Sequence, residues 1–326
     1  MTKLKNKEVV TAEAHIETIE PKKRKKANKN SLQLYLMCAF PMLFVFVFNY
    51  IPLVGLIIAF QDYRFDKGMF GSDFVGLDNI LFFIKSGDFM KITRNTLLLN
   101  FMFIVVGIVA AVALAVLLFE VTSRNLVKVF QTIYIMPNFL SWVVVGCLAY
   151  AFLNPSYGMI NAIITKMGGE ALQWYSQPMA KWWPLILLIV SVWKHVGMDS
   201  IIYYAALMGV DKSLIEAAQI DGATKWEIIM NIYVPTITPI ITILSINKIG
   251  AIFRADFGLF FQVTRDSGGL FETTDVIDTY SYRTMRVFAD YGTSAAIGLM
   301  QSIVGFFMVV TTNAIVKKID PQNSLF

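Results

Sequence analysis

Three ionisable residues, Lys194, His195 and Asp199, stand in the middle of one strongly apolar stretch. In a bilayer each such charge costs about 2.5–3.5 kcal/mol or more, so these side chains normally face a polar cavity or pair with one another. His195 and Asp199 are four residues apart and share a helix face, which allows an intrahelical pair. Lys194 is turned by about 140° from Asp199, at about 100° per residue. We therefore expect Lys194 to find its partner on another helix.

Further polar residues in apolar stretches suggest what such a cavity would bind. Trp193 precedes Lys194, and Asn247 and Lys248 stand near the end of the next apolar stretch. Sugars are recognised by planar hydrogen-bonding groups and aromatic faces. Such groups could come from Asn247, Trp142, Trp193 and Tyr203. One interpretation is a substrate path; the other, equally open, is pairing between helices that fixes the register of a bundle. The candidates for the substrate path are Trp193, Lys194, His195, Asp199, Asn247 and Lys248.

Lys194 and Lys248 also bear on the charge of the substrate. If both ammonium groups face one cavity, the cavity would favour an anionic sugar, such as a uronate oligomer, over a neutral one. Two effects oppose this, because Asp199 could neutralise one lysine across the bundle and burial could leave the other uncharged. Selectivity for an anionic sugar is accordingly a hypothesis that depends on free lysines.

Membrane-spanning helices are the elements that must position these residues. Of the 326 residues, 56% are hydrophobic and 16% are charged, against about 45–50% and about 25% in soluble domains. Apolar runs of about 20 residues recur, as in transmembrane helices. The predicted fold is an all-α polytopic membrane helical bundle over residues 31–326. Its six predicted spans lie at about 33–60, 95–119, 129–153, 182–206, 232–253 and 293–316.

Basic residues predict the orientation of the bundle. Residues 1–30 are polar and include the basic run from Lys22 to Lys26, just ahead of the first apolar stretch. We predict a disordered cytoplasmic tail, because basic segments beside a span remain in the cytoplasm. Lys and Arg are also denser in the other loops on that side, so both termini and the loop at 207–231 are predicted to be cytoplasmic. The net charge of +5 then reflects orientation in a lipid bilayer rather than binding of nucleic acid.

The sequence offers little for catalysis or for a cofactor. Its two cysteines, Cys38 and Cys147, fall inside apolar runs, and no Cys/His cluster has metal-ligand spacing. No Gly-x-x-x-x-Gly-Lys-Ser/Thr loop occurs, so the chain is not expected to hold ATP in the Walker manner. We expect no metal, no bound cofactor and no catalytic residue. If transport is driven by ATP, the ATPase is a separate polypeptide.

The loop at 207–231 carries strong local signals for structure. Ser213–Glu216 and Thr224–Glu227 both have the spacing of a capping box, which starts a helix. Gly222 suits the left-handed residue that ends one. We predict two helices of about two turns each, with Pro235 stopping or kinking the chain after the second. Helices this short need a surface to dock on. A small face formed by Ala217, Ala218 and Gly222 permits close approach of a partner protein.

The same loop carries a specific resemblance. Glu216-Ala217-Ala218, three residues, Gly222, nine residues and Ile232-Tyr233-Val234-Pro235 resemble the EAA loop of permease subunits from bacterial binding-protein-dependent ABC importers. Val234 replaces the usual Leu, which is a mild departure. In that family the loop is the coupling helix, inserted into a groove on the ATPase subunit. The resemblance assigns ATPase coupling to Glu216, Ala217, Ala218, Asp221, Gly222 and Pro235.

Other segments extend the resemblance over residues 31–326. They are similar to the sugar-importing branch of the family, and within it to the subgroup associated with complex oligosaccharides and polysaccharide fragments. This implies an oligosaccharide importer of the bacterial cytoplasmic membrane. It also implies a second homologous permease, two ATPase subunits that bind ATP and Mg, and an extracellular or periplasmic sugar-binding protein. The segments are Asn49–Pro52, Ala59–Asp62, Phe74–Leu77, Arg94–Thr96, Thr274–Tyr280 and Gly298–Ser302.

Two other classes of protein fit part of the sequence. An ATP-independent secondary transporter or channel could use Lys194, His195 and Asp199 as an ion relay. Such carriers commonly show inverted repeats, and this sequence shows no internal repeat. A polytopic membrane enzyme, such as a glycosyltransferase, would need paired carboxylates or metal ligands at a membrane face. Asp275 and Asp278 are three residues apart, but nothing else completes a site.

Overall fold

The computed structural model describes residues 29–319 of the chain. The tail predicted at residues 1–30 lies outside this range except for its last two residues, which already belong to the first helix. The chain divides into two compact units, one that ends at Val54 and one that starts at Gly55. The described residues are almost entirely helical, which confirms the predicted all-α class.

In the first unit, helix α1 (Lys29–Val45) is followed by a π-turn at Phe46–Tyr50 and a 3-10 segment at Ile51–Phe60, which leads into the second unit. The stretch Gln33–Phe60 is long and apolar enough to cross a membrane. Pro52 comes just after the π-turn and lacks the N–H that a regular helix would use. The wider turn accommodates this proline without ending the helical segment.

The second unit begins with a short antiparallel hairpin of β1 (Gln61–Asp62) and β2 (Asp73–Phe74), in which Gln61 pairs with Phe74. The rest of the unit is helical or loop. Short 3-10 or π-turns lie at Met136–Phe139, Gln177–Trp182, Leu259–Val263 and Gly268–Leu270. The helices are α2 (Gly68–Gly71), α3 (Asp78–Lys85), α4 (Phe89–Phe119), α5 (Arg124–Ile135), α6 (Trp142–Leu153), α7 (Met159–Lys166), α8 (Trp183–Leu207), α9 (Lys212–Ile220), α10 (Lys225–Gly250), α11 (Phe271–Thr274), α12 (Ile277–Arg286) and α13 (Tyr291–Ile319).

The third predicted span, at 129–153, is not a straight helix. The structure divides it into Arg124–Phe139 and Trp142–Leu153, which meet at an angle of 97°. Pro137 stands in a 3-10 turn and the two residues after that turn are extended, with ψ of 134° and 152°, so the helical hydrogen bonds stop there. Ser141 starts the new helix by accepting a backbone N–H at 3.3 Å. The described chain thus holds five continuous spans, or six if the bent pair counts as one.

Helix α10 contains a proline just after a π-turn, as the first unit does at Pro52. It begins as an α-helix at Lys225–Ile228, widens into a π-turn at Ile229–Tyr233 and continues to Gly250. Pro235 comes after the π-turn and does not stop the helix. The prediction of a separate second short helix is therefore wrong, because its residues form the first turns of a span.

Three clusters of buried apolar side chains hold the second unit together. Trp183 and Phe260 belong to the first, Tyr203 and Tyr233 to the second, and Phe83 to the third. Many other large apolar side chains are exposed, as expected for helices that are surrounded by lipid. The second cluster lies at the end of the bundle that carries α9, and it positions the loop between α8 and α10.

Candidate functional site

The loop at 211–227 connects α8 to α10 and contains α9. Asp211 caps this helix, because its Oδ1 accepts the backbone N–H of Ser213 at 2.9 Å. Hydrogen bonding to Ser213 holds the pKa of Asp211 below its ordinary value. The predicted capping box from Ser213 to Glu216 is therefore wrong. A carboxylate stands two residues upstream and takes the N–H of Ser213 itself, so the helix begins earlier.

Gly222 ends α9 in the predicted conformation. Its φ is +81°, in the left-handed region. The N–H of Ala223 donates a hydrogen bond to the carbonyl of Ala218 at 2.9 Å, as in a Schellman motif. No atom lies within 4 Å of the point where a Cβ would stand at this glycine. Glycine is therefore required here by the backbone conformation and not by lack of space.

The second predicted capping box is confirmed. Thr224 Oγ1 accepts the N–H of Glu227 at 3.3 Å, and Glu227 Oε2 accepts the N–H of Thr224 at 2.7 Å. Each side chain satisfies a backbone donor at the start of α10 that has no partner within the helix. Together with Gly222, this pair fixes the turn between α9 and α10.

The small residues of the loop do not form one partner-facing surface. Ala218 is half-buried and packs with Tyr203, Leu207 and other members of the second cluster, so it serves the chain's own packing. Ala217 and Gly222 are exposed. The prediction of a single small face is therefore wrong for Ala218, because helix α9 needs an inward face of its own to stay docked.

Three large apolar side chains are exposed among the polar residues of the loop. The side chains of Leu214, Ile220 and Trp226 are 57%, 86% and 68% exposed. Capped helix ends and charged residues surround them, which is typical of a loop at a membrane surface rather than of a lipid-facing segment. These three residues were missed from the sequence. The signal that could have found them is the presence of large apolar residues in an otherwise polar, capped loop.

A cavity of about 640 Å³ separates α9 from the turn between α4 and α5. The lining from the α4–α5 turn includes Arg124 and Lys128. Glu216 therefore faces this cavity on the chain itself, whereas Ile220 is not one of its lining residues. The residues of α9 that line the cavity are Lys212, Ile215, Glu216 and Gln219.

Lys194 finds its partners at the break in the third span. Its ammonium donates to the backbone carbonyls of Pro137, Asn138 and Leu140 at 3.3, 3.0 and 2.5 Å, and the residue is only 5% exposed. A break in a membrane helix leaves carbonyls without helical partners, and lipid offers none. The expectation of a partner outside α8 is confirmed, although the partner is backbone and not a side chain.

The contact depends on a close approach of α8 to α5. A Cβ added at Gly197 would stand 1.9 Å from the carbonyl oxygen of Tyr134. Only glycine fits at such a distance. Gly197 thus lets α8 lie against α5, one turn from Lys194 and its carbonyl partners.

Asp199 pairs with Lys248 of α10, Nζ to Oδ2 at 2.6 Å. His195 instead hydrogen-bonds through Nδ1 with the carbonyl of Ser191 at 3.0 Å. The predicted His195–Asp199 pair is therefore wrong. An ammonium on the neighbouring helix forms a charge-assisted bond with the carboxylate, which is stronger than a bond from a neutral imidazole.

Three of the six substrate-path candidates meet at one cavity. His195, Asp199 and Lys248 line a space of about 320 Å³ between α4, α8 and α10, with Arg254 at its edge. Asn247 lines a second cavity of about 380 Å³, which also borders Arg254. Trp193 and Lys194 line neither of these two cavities. The two lysines therefore do not face one cavity as free charges, and the hypothesis that rested on them loses its basis.

Asp275 and Asp278 are held by different partners. Asp275 Oδ1 lies 2.5 Å from Arg283, which also binds Asp266 at 2.7 Å. Burial raises the pKa of Asp275, although Arg283 opposes this. Asp278 Oδ2 accepts the N–H of Ala255 at 2.7 Å. The two carboxylates fasten loops to α12 and do not form the paired site that an enzyme would need.

Comparison with known proteins gives consistent matches. Residues 103–321 match the model of the family described as binding-protein-dependent transport system inner membrane component. Protein LplB of Bacillus subtilis (strain 168) is 33% identical over 300 residues, covering 92% of this chain and 93% of the relative. The polygalacturonan/rhamnogalacturonan transport system permease protein YteP of the same organism is 31% identical over 316 residues, covering 94% and 97%.

A solved structure is similar along nearly its whole length. It is a chain in the crystal structure of a bacterial alginate ABC transporter in complex with an alginate pentasaccharide-bound periplasmic protein. The TM-score is 0.79 and the sequence identity is 32%, with 89% of this chain and 96% of that chain covered. At this identity and coverage the similarity extends to the arrangement of the helices as well as to the sequence.

Proposed function

The chain belongs to the family of binding-protein-dependent transport system inner membrane components, and we propose that it is the permease subunit through which an ABC importer carries oligosaccharides across the bacterial cytoplasmic membrane. The match over residues 103–321 carries this conclusion. Relatives named for pectic polysaccharides and for alginate support an oligosaccharide as the substrate. The chain itself performs no covalent chemistry in this proposal, and ATP is hydrolysed by a separate subunit.

The exposed apolar part of the loop is the contact that we assign to the ATPase. Ile220 and Trp226 are large, apolar and uncovered, and they stand on two capped helix ends. A surface of this kind usually marks a protein interface. A short helix with apolar anchors suits insertion into a groove. Glu216, Ala217, Ala218, Asp221, Gly222 and Pro235 then support or flank the contact, as the resemblance to the EAA loop implies.

Helix α10 connects this contact to the cavity. Its 26 residues extend about 39 Å at 1.5 Å per residue. Tyr233 and Ile228 join its first turns to the cluster beneath α9, and Lys248 at its other end binds Asp199 beside the cavity. Closure of the ATPases would move the loop, and α10 would transmit that motion to the cavity. This supports a path that alternates between inward- and outward-facing states.

The remaining partners are inferred from the family. We infer a second homologous permease, two ATPase subunits that bind ATP with Mg, and an external sugar-binding protein. The orientation that serves this assembly has both termini and the 211–227 loop in the cytoplasm. An even number of spans, with the bent pair counted as one, supports placing both termini on the same side of the membrane.

The competing proposal of an ion-driven carrier has little support. Its relay would need titratable groups that are free to exchange protons in the membrane. Lys194 is bound by three carbonyls, and Asp199 is bound by Lys248. Only His195 among the three has no charged partner among the residues that the structure describes. A single histidine does not make a relay.

The test of the proposal is co-purification in mild detergent with the proteins encoded beside this chain. Wild-type protein should retain an ATPase and a sister permease. Ile220→Asp should lose the ATPase, because an anchor residue of an interface contributes about 2 kcal/mol or more. Met167→Asp is the matched control, since Met167 is 82% exposed on a different loop. Retention of the ATPase by Ile220→Asp, or its absence from the wild-type preparation, would contradict the proposal.

A further inference from the structure

The cavity between α4, α8 and α10 contains one cation, Arg254, that forms no ion pair with any residue in the described range 29–319. Lys248 and Asp199 cancel each other at 2.6 Å. Arg254 borders the same cavity and is exposed. Its only side-chain hydrogen bond in residues 29–319 runs from Nη2 to Ser302 Oγ at 3.1 Å. The net charge of this cavity therefore comes from a guanidinium and not from the lysines that stand out in the sequence.

The backbone that carries Arg254 is held by three polar side chains from three helices. Asn100 of α4 donates to the carbonyls of Ile252 and Arg254 at 2.7 and 3.3 Å. Gln301 of α13 donates to the carbonyl of Phe253 at 2.8 Å. Asp278 of α12 accepts the N–H of Ala255 at 2.7 Å. Asn100 and Gln301 are buried. Four consecutive residues are thus fixed in place directly beneath an exposed arginine side chain.

This arrangement suits the recognition of a planar anion. A guanidinium has five N–H donors in a rigid fork that matches a carboxylate. Arg254 uses one nitrogen on a neutral hydroxyl, so most of its donors remain available. Asp278, the acidic residue that fixes the neighbouring backbone, is already committed to Ala255 and Gln301. A binding group held on fixed backbone loses little freedom when its ligand arrives.

We propose that Arg254 is the specificity-determining residue of this chain, and that it binds the carboxylate of a uronate unit as an acidic oligosaccharide passes through the importer. The inference rests on the proposed function and names the substrate class for that function. Alginate and polygalacturonan, the polymers named for two relatives, are both built from uronates. The geometry of Arg254 in this chain supplies the matching group.

The experiment compares an acidic sugar with its neutral counterpart of equal length. Proteoliposomes contain the complete importer, and the liganded binding protein is the varied substrate. The sugars are a radiolabelled uronate trisaccharide and the same trisaccharide after reduction of its carboxylates to alcohols. The variants are Arg254→Gln, Arg254→Lys and the control Arg286→Gln, which removes another exposed arginine that lines neither cavity around Arg254.

Arg254→Gln should lower kcat/KM for the uronate by about tenfold or more, because a charged hydrogen bond is lost. Uptake of the reduced sugar should change by less than about twofold, and Arg254→Lys should recover part of the uronate activity, since lysine keeps the charge without the fork. Arg286→Gln should leave both sugars unaffected. Co-purification of the ATPase with each variant shows that the assembly is intact.

Equal losses for both sugars, or undiminished uronate uptake by Arg254→Gln, would overturn the inference. So would a wild-type importer that carries the reduced sugar and rejects the uronate. Each of these results leaves the proposed function standing, because the complex still imports sugar. Failure of the wild-type complex to import any oligosaccharide in response to ATP would instead contradict the proposed function itself.

Discussion

The intramembrane polar residues and the 211–227 loop differ in whether their side chains find partners within the chain. Inside the bundle, Lys194 and Lys248 have partners within the chain, three carbonyls for one and Asp199 for the other. In the loop, Ile220 and Trp226 have large apolar side chains that nothing in the described chain covers. The charges that stand out in the sequence are thus structurally satisfied. The apolar residues of the loop, which do not stand out in the sequence, remain largely uncovered.

This difference shows that a side chain indicates an external ligand or protein when it has no partner within its own chain. A charge in lipid must be satisfied at once, so its presence in a folded chain says little about ligands. An apolar side chain in water is unfavourable by a smaller amount, and it persists where another protein will cover it. Variants in the bundle should therefore change stability, and variants in the loop should change association.

The largest effect is expected from Lys194→Met. The carbonyls of Asn138 and Leu140 would lose the ammonium as a donor, while that of Pro137 would still accept the N–H of Leu140 at 3.2 Å. In a membrane each unsatisfied group costs several kcal/mol. The variant should accumulate poorly in the membrane and unfold at a much lower temperature in detergent. Fluorescence-detected size exclusion and a thermal scan measure both. Lys181→Met, which removes an exposed lysine, should behave as wild type. A stable Lys194→Met protein would show that the carbonyls find other donors.

A smaller loss is expected from the ion pair beside the cavity. Asp199→Asn and Lys248→Gln each leave one charge unpaired, and since both side chains are about one-third exposed each should cost about 1–2 kcal/mol. The double variant should be more stable than the sum of the two losses predicts, because no charge is then left alone. Thermal unfolding of the four proteins gives the coupling. Additive losses would mean that the two residues do not interact.

A variant in the loop should change association with the ATPase and not the stability of the bundle. Gly222→Ala places a Cβ at φ +81°, a conformation that costs an L-residue about 1–2 kcal/mol. The turn should relax, so ATPase co-purification should fall by about fivefold while thermal unfolding of the bundle stays unchanged. Gly87→Ala is the control, because Gly87 also has open space but no left-handed φ. Equal ATPase retention in both variants would remove the turn geometry from coupling.

The smallest effect concerns the start of α9. The pKa of Asp211 lies below its ordinary value of 3.8 because the carboxylate accepts the N–H of Ser213. Its contribution is complete above that ordinary value and is lost as the pH falls through the lowered one. Hydrogen exchange of the α9 amides should therefore show more opening as the pH drops from about 6 to about 3. Asp211→Asn keeps an acceptor and should not show this pH dependence.

Local signals allowed much of the fold to be predicted from the sequence. Apolar runs located the spans, and the Thr224–Glu227 box and Gly222 were placed correctly because each depends on residues only a few positions apart. The start of α9 was misplaced for a related reason. Asp211 and Ser213 can both cap a helix, and only the folded backbone decides which side chain reaches a free N–H.

Non-local contacts could not be predicted in the same way. Lys194 and the carbonyl of Leu140 are 54 residues apart, and Asp199 and Lys248 are 49 residues apart. A backbone carbonyl is available to accept a bond from another helix only where its own helix breaks. The sequence marks this break only by Pro137, and membrane helices can tolerate a proline without breaking. Arg254 was missed for a similar reason. Its importance depends on the side chains that fix its backbone, and those lie on three other helices.

The contact between Lys194 and the break also constrains the biogenesis of the protein. The carbonyls of the third span leave the ribosome before the lysine is made, and the chain between them includes the loop at 154–181. Neither span is stable in the bilayer alone, since the third carries carbonyls without a donor and the fourth carries the unpaired ammonium of Lys194. The third span should therefore wait at the translocon until the fourth arrives, and the two should enter the lipid as a pair.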